Sequence, residues 1–365
     1  MLSLACLSLE PCLFKNSMSL FRCRLRSSIL ALLVTWCATA CLPDGASTVP
    51  LSPHQAKKQT RRVVCLFSDA RMPFQRAQAQ FLNLLDAQDA DHELVMEDAQ
   101  GSSSHQFNQI EALLAAPPAV LLLQPTDLQS ISPSLTNLKN AGTRIIIVDP
   151  PSKVKSSSEI EAIFACDPRE IGRTAAKIAL NALSKRAGDR GDSIPKGRIL
   201  EIRGTDESAW SSAVHAGFAE GLTPNTSIIL VHDTPADWTS ANVQPRYAEA
   251  LRLQKSIDVV FAHDDFLAQA AHLAATAAGT RDDTLIIGIN GFAGAEGGLE
   301  MMRRNEIDAT IQRPFLVDAA WQHLRQPPTS NPTTEAQVKP RAIVPSDLDQ
   351  SAVLDSNQSK NSPDK

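Results

Sequence analysis

Aromatic residues make up only 5% of this 365-residue chain, and tyrosine occurs once. Each tryptophan beyond the first forty residues therefore needs its own explanation. Positive charge is not in excess: 35 Lys and Arg against 40 Asp and Glu leave a net charge of -5, which excludes the basic footprint of a nucleic-acid binder. Cysteine is scarce where it could cross-link. Five of the seven lie at or before Cys41, leaving Cys65 in "RVVCLFS" and Cys166 in "IFACDP". One pair without C-x-x-C is no disulfide framework, and the simpler reading is two buried thiols. Catalytic signatures are missing too. There is no G-x-S-x-G elbow, no H-E-x-x-H and no G-x-x-x-x-G-K-[ST] loop. The eight histidines are scattered, so nothing completes a metal site around His263 and Asp264. No enzyme, cofactor or metal is expected.

What is present begins with an export signal over residues 1–40. Arg22, Arg24 and Arg26 precede a short apolar stretch from Ile29 to Trp36, and Ala38-Thr39-Ala40 follows as a small-residue cleavage site. That stretch is too short to span a bilayer comfortably. Met18 is an alternative start. Cys41 follows the cleavage site directly, and a polar run, residues 41–60, reads as a tether. Acylation of Cys41 would make the protein a lipoprotein; ordinary cleavage would leave it soluble. The lipoprotein is the preferred reading, although Ala38 stands where such signals usually carry leucine.

From Arg62 onward, short apolar runs alternate with helical periodicity. The runs are "VVCLF", "AVLLL", "RIIIV", "AIFAC", "RILEI", "SIILV", "DVVFA", "TLIIGI" and "ATI". Such near-continuous apolar runs suit parallel strands covered on both faces. Between them, Phe74–Leu85, Ile171–Leu183 and Leu267–Ala278 place apolar residues three and four apart. "DPREIG" offers Asp167 as a helix N-cap with Pro168 at the first helical position. Nine strands are many for one doubly wound sheet, so the expected fold is α/β, with two doubly wound parallel-sheet lobes joined by a hinge. The first lobe is assigned residues 61–165 plus 312–345, and the second residues 166–311. "IFACDPREIG" and "DATIQRPF" are the expected crossings. Residues 346–365 read as a disordered tail.

Ligands of open α/β sheets bind outside the carboxyl ends of the strands. Those ends carry Ser68-Asp69, Gln124, Asp149, Arg203-Gly204, His232-Asp233, His263-Asp264-Asp265 and Asn290-Gly291. Helix capping accounts for some of them without any ligand. After the seventh run, Asp265, immediately before the helical pattern, reads as the cap. Asp264 is then free to face a cleft, and His263 reads as a satisfied or solvent-facing histidine.

Several segments, in order, carry a resemblance. They are "FSDARMPFQRAQAQF", "IIIVDP", "CDPREIGRTAAKIAL", "AVHAGFAEGL", "IDVVFAHDDFLAQAA", "IIGINGFAGAEGGLEMM" and "DATIQRP". From about Arg61 to Val344 the chain resembles the ribose-type periplasmic solute-binding proteins of sugar ABC transporters, the type I periplasmic binding fold. The same fold forms the effector domain of lactose-repressor-type regulators, but the export signal and the lack of an N-terminal helix-turn-helix argue against that use. The resemblance implies a ligand pocket formed by Phe74, Asp149, Trp210, Trp238, Asp264, Asn290 and Arg313. It also implies departures from the family pattern. Met72 stands for an asparagine, Gln75 for an aromatic, Pro150 and Val214 for arginines, Asp264 for an asparagine, Asn290 for an aspartate and Arg313 for a glutamine. Trp210 and Val214, one helical turn apart, are expected to project together. Asp149 and Asp264 against Arg313 leave a formal excess of one negative charge, which favours a neutral polyol or a cation over phosphates and carboxylates. Any of these side chains can also pack or cap without touching a ligand.

The resemblance implies capture of a small sugar-like solute in the periplasm or on the outer face of a membrane. Hinge closure would then present a monomer to an ABC transporter permease. The alternative from another class is a sensor that shows its closed form to a membrane receptor or kinase.

Overall fold

The computed structural model describes residues 60–155, 157–222, 227–328 and 334–348. The export signal, the tether with Cys41, and residues 349–365 of the expected tail lie outside the described residues.

The first lobe opens with β1 (Arg61–Phe67), α1 (Pro73–Asp86), β2 (His92–Asp98), α2 (Ser103–Leu113), β3 (Val120–Leu123), α3 (Leu128–Asn140), β4 (Arg144–Val148) and β5 (Ala162–Cys166). The second contains α4 (Pro168–Asp189), β6 (Gly197–Arg203), α5 (Ala209–Leu222), β7 (Ile228–Pro235), α6 (Val243–Gln254), β8 (Val259–Ala262), α7 (Asp265–Ala277), β9 (Leu285–Asn290), α8 (Gly298–Arg303) and β10 (Ala309–Gln312). After these come α9 (Leu316–Leu324), β11 (Thr334–Val338) and β12 (Arg341–Ile343). The first sheet has the order β11-β5-β4-β3-β1-β2 and is parallel throughout. The second has the order β12-β10-β9-β8-β6-β7 and is parallel except for β12, which runs antiparallel to β10.

Alternation along the strands explains why both faces are covered. In β1, Val63, Cys65 and Phe67 enter one buried cluster while Val64 and Leu66 enter another. Burial pushes the thiols of Cys65 and Cys166 up, that of Cys166 to about 11, so both remain protonated and inert. Asp167 caps α4 by accepting from the Arg169 backbone N–H, with Pro168 opening the helix. Helices α4 and α5 touch backbone to backbone. A Cβ on Gly172 would lie 2.0 Å from the Val214 carbonyl oxygen.

The chain passes between the lobes at three places: from β5 into α4, from β10 through Arg313 to α9, and from β11 to β12. The last of these departs from the sequence expectation, which put residues 312–345 wholly in the first lobe. Helix α9 and β11 do lie on the first sheet, but Arg341–Ile343 pairs with Thr310–Gln312 of the second. The edge of β10 needs a partner for its backbone groups, and the short return strand supplies one.

Candidate ligand-binding site

The carboxyl ends of the strands in both sheets meet at the crossing that carries Arg313. Pro73 starts α1 and sets Phe74 in its first turn, buried. Asp149 follows β4 with φ 49°, and its N–H donates to the Phe164 carbonyl at 2.8 Å. On the second lobe, Trp210 lies in the first turn of α5, and Trp238 follows β7 with φ 52°. Asn290 closes β9 with φ 113°. Asp and Asn tolerate such backbone better than other side chains, whereas a tryptophan held there stores roughly 1–3 kcal/mol of strain that its surroundings must offset.

All seven nominated residues join one connected group. Asn290 Nδ2 donates to Asp264 Oδ2 at 2.6 Å, and Arg313 donates to Asn290 Oδ1 at 3.2 Å. Arg313 also forms an ion pair with Asp149, tying the hinge and second lobe to the first. The guanidinium carbon lies 4.7 Å from the Phe74 ring centroid and 5.1 Å from that of Trp210. Both aromatic faces therefore receive its charge. Trp210 and Trp238 sit with centroids 6.0 Å apart and planes inclined by 47°.

The helix cap falls to Asp264 and not, as read from the sequence, to Asp265. Helix α7 begins at Asp265, so Asp264, with extended backbone, is its N-cap and accepts from the Phe266 N–H at 3.1 Å. Asp265 does not cap. It is fully buried and accepts from the N–H groups of Gly291 and Gly298 and from the Thr310 hydroxyl, at 2.7, 3.0 and 2.7 Å. It brackets the loop after β9 to β10.

Burial and the neighbouring Asp265 push the Asp264 carboxyl well above its ordinary value, while burial raises Asp265 to about 7 despite its three donors. The charged form of Asp264 is thus disfavoured. Beside it lies the compensated pair Asp149–Arg313.

Four substituted positions fall outside the group. Val214 is sealed in the core, so it does not accompany Trp210 outward. Met72 precedes α1 without a side-chain cap. Gln75 braces the β1–α1 loop by accepting from the Asp69 N–H and donating to the Ser68 hydroxyl. Pro150 is buried beside Asp149.

Other contributors were not nominated. Gln124, at the end of β3, is 2% exposed, and neither of its amide atoms finds a partner among the described residues. Trp210 Nε1 and Arg313 Nε are likewise buried and unpaired there. Buried polar groups are normally satisfied, and two of these orphans belong to the cluster in which Arg313 lies over the Phe74 and Trp210 rings. Gln124's place at a strand end was its only signal. Phe292 and Phe315 lie 6.0 and 5.5 Å from Phe74, which joins both lobes and the crossing in one aromatic cluster. No spacing in the sequence announces that cluster.

The model described as periplasmic binding protein domain matches residues 65–320, most of the chain. The chain belongs to the periplasmic binding protein family. Members of this family are binding proteins, not enzymes. The periplasmic binding protein described here is 25% identical over 225 residues to the ribose import binding protein of Bacillus subtilis, covering 61% of this chain and 67% of that one. It is 22% identical over 220 residues to the Escherichia coli ribose import binding protein, covering 60% and 68%. Its fold matches the Caulobacter myo-inositol binding protein bound to myo-inositol, with TM-score 0.67, 21% identity and coverage of 84% and 99%. It also matches the fructose-binding periplasmic domain of a hybrid two-component system, with TM-score 0.67, 20% identity and coverage of 83% and 96%. No helix among the described residues of this periplasmic binding protein is long and apolar enough to cross a membrane.

Proposed function

We propose that the cleft between the lobes binds a small neutral sugar or sugar-like polyol outside the cytoplasmic membrane and that hinge closure presents it to an ABC transporter. The observation that supports this reading is the buried, unpaired Nε of Arg313, whose guanidinium lies over the faces of Phe74 and Trp210, together with the unpaired Nε1 of Trp210 and the unpaired amide of Gln124 at the end of β3. Sugars offer apolar ring faces to aromatics and hydroxyls to such groups. Charge supports a neutral guest, because Arg313 is already compensated by Asp149 and the charged form of Asp264 is disfavoured. Phe74, Gln124 and Asp149 would contact it from the first lobe, Trp210, Trp238, Asp264 and Asn290 from the second, and Arg313 from the hinge. Two of the relatives named above import ribose. The fructose-binding relative belongs to a two-component system, which supports a second reading, in which the closed form signals to a membrane partner.

The test is thermal unfolding of the mature protein with ribose, fructose, arabinose, myo-inositol, amines and sugar acids. A ligand at one hundred times its dissociation constant adds about 2.7 kcal/mol of stability. A neutral sugar or inositol should raise the melting temperature, and Trp238→Ala should abolish the rise. A response confined to amines or acids overturns the assignment. We also assign Cys41 as a lipid attachment site of a monomeric protein; Cys41→Ser should then leave the membrane fraction.

A further inference from the structure

Directly beneath the aromatic wall runs a buried hydrogen-bonded chain that touches none of the nominated residues through its polar atoms. Glu201, in β6, is fully buried and accepts from His263 Nε2 at 2.9 Å and from His215 Nδ1 at 2.8 Å. Burial works against its charge, but the two imidazoles hold the carboxyl down to about 2. A carboxylate only accepts, so both of those ring nitrogens carry protons. The other ring nitrogen of His263, Nδ1, hydrogen-bonds with the Ser211 hydroxyl at 3.0 Å. The Ser211 oxygen in turn accepts from the Gly204 backbone N–H at 3.2 Å.

Its two ends grip the two tryptophans. The His263 ring meets Trp210 at 6.3 Å with planes at 86°, and Ser211 is the next residue along α5. At the other end, Gly204 lies so close under Trp238 that a Cβ there would fall 2.1 Å from the indole Cζ2. Trp210 and Trp238 then close the circuit. The turn that carries Trp238 has left-handed backbone at two successive non-glycine residues, Asp237 and Trp238. A conformation of that kind persists only when its surroundings over-determine it.

We propose that Glu201, His263 and Ser211 are positioning residues for the ligand site, setting the mutual angle of Trp210 and Trp238 through His263 and Gly204. This rests on the sugar-binding reading only for its consequence on affinity; the positioning itself is measurable without a ligand. Two indoles 6.0 Å apart and inclined by 47° are placed for exciton coupling, which gives a paired circular-dichroism band in the indole far-ultraviolet region. Trp238→Phe defines the spectrum without the pair. Gly204→Ala, which drives a methyl into the indole, shows the effect of a displaced ring.

Ser211→Ala removes the link that joins His263 to Gly204. The expected result is loss of the paired band to the Trp238→Phe level, with the helical signal retained and Ser211→Thr restoring the band. If the melting temperature falls while the band stays at wild-type amplitude, the three residues only stabilise the lobe and the proposal is overturned. Should Ser211→Ala fail to fold, Ser211→Cys, a weaker donor in the same space, supplies the same comparison. A sugar response that is absent even in the wild-type protein would refute the sugar reading and leave the band result standing on its own.

Discussion

Removing the Asp264 carboxylate takes away two acceptors, one serving the α7 backbone and one serving Asn290. Loss of an N-cap costs about 1 kcal/mol, and freeing Asn290 also loosens its bond to Arg313. Asp264→Ala should therefore lower unfolding stability by roughly 1–2 kcal/mol and abolish the sugar-dependent thermal shift. Asp264→Asn keeps an acceptor for the Phe266 N–H and should recover most of the stability in denaturant titration. Equal losses in both variants would sink the capping role. Two consecutive aspartates at the end of an apolar run do not announce which one caps. The answer turns on a one-residue difference in where the helix starts, and that boundary is the least legible part of a sequence. The aromatic and charged partners were legible by type because few residue types can serve a strand end. Gln124 was not, since an amide there has many other uses.

At the scale of elements, β6 and α7 carry buried carboxylates that titrate in opposite senses. Glu201 is held at about 2, below its ordinary 4.5, so the stability it contributes is present above 4.5 and is lost as pH falls through about 2. Asp265 is raised from 3.8 to about 7, so its contribution is fully present below 3.8 and is lost as pH rises through about 7. Unfolding free energy should therefore be greatest at mildly acidic pH and fall on both sides. Glu201→Gln should flatten only the acid limb, as followed by denaturant titration at each pH; an unchanged acid slope would show that other groups control it. The sequence made the central strands plain, because β1, β3, β4, β8 and β9 are apolar on both faces. It hid β2 and β11, the two edges of the first sheet, where "HELVMED" and "TEAQV" are half exposed. An edge strand needs only one covered side, so its pattern fades into that of a loop.

At the scale of the molecule, two ion pairs among the described residues join the lobes, and they differ in worth. Arg76 and Glu296 meet at 2.7 Å with both side chains well exposed, and such a pair contributes about 0–1 kcal/mol. Arg313 and Asp149 are nearly covered, at 7% and 12% exposure, and breaking a buried pair costs about 3–5 kcal/mol because one charge is left uncompensated. Asp149→Asn should thus enlarge the radius of gyration seen by solution scattering and reduce stability, whereas Glu296→Gln should change neither measurably. The reverse ranking would show that the rim, and not the hinge, holds the halves together.

The return of the chain through β11 and β12 has a consequence for how the protein is made. Thr334–Val338 completes one half and Arg341–Ile343 the other, so one half lacks a strand until the ribosome has passed position 338 and the other until it has passed position 343. A nascent polypeptide built this way stays unfinished in both parts for most of its synthesis. That favours passage through a translocation channel, which admits an unfolded chain but not a folded lobe.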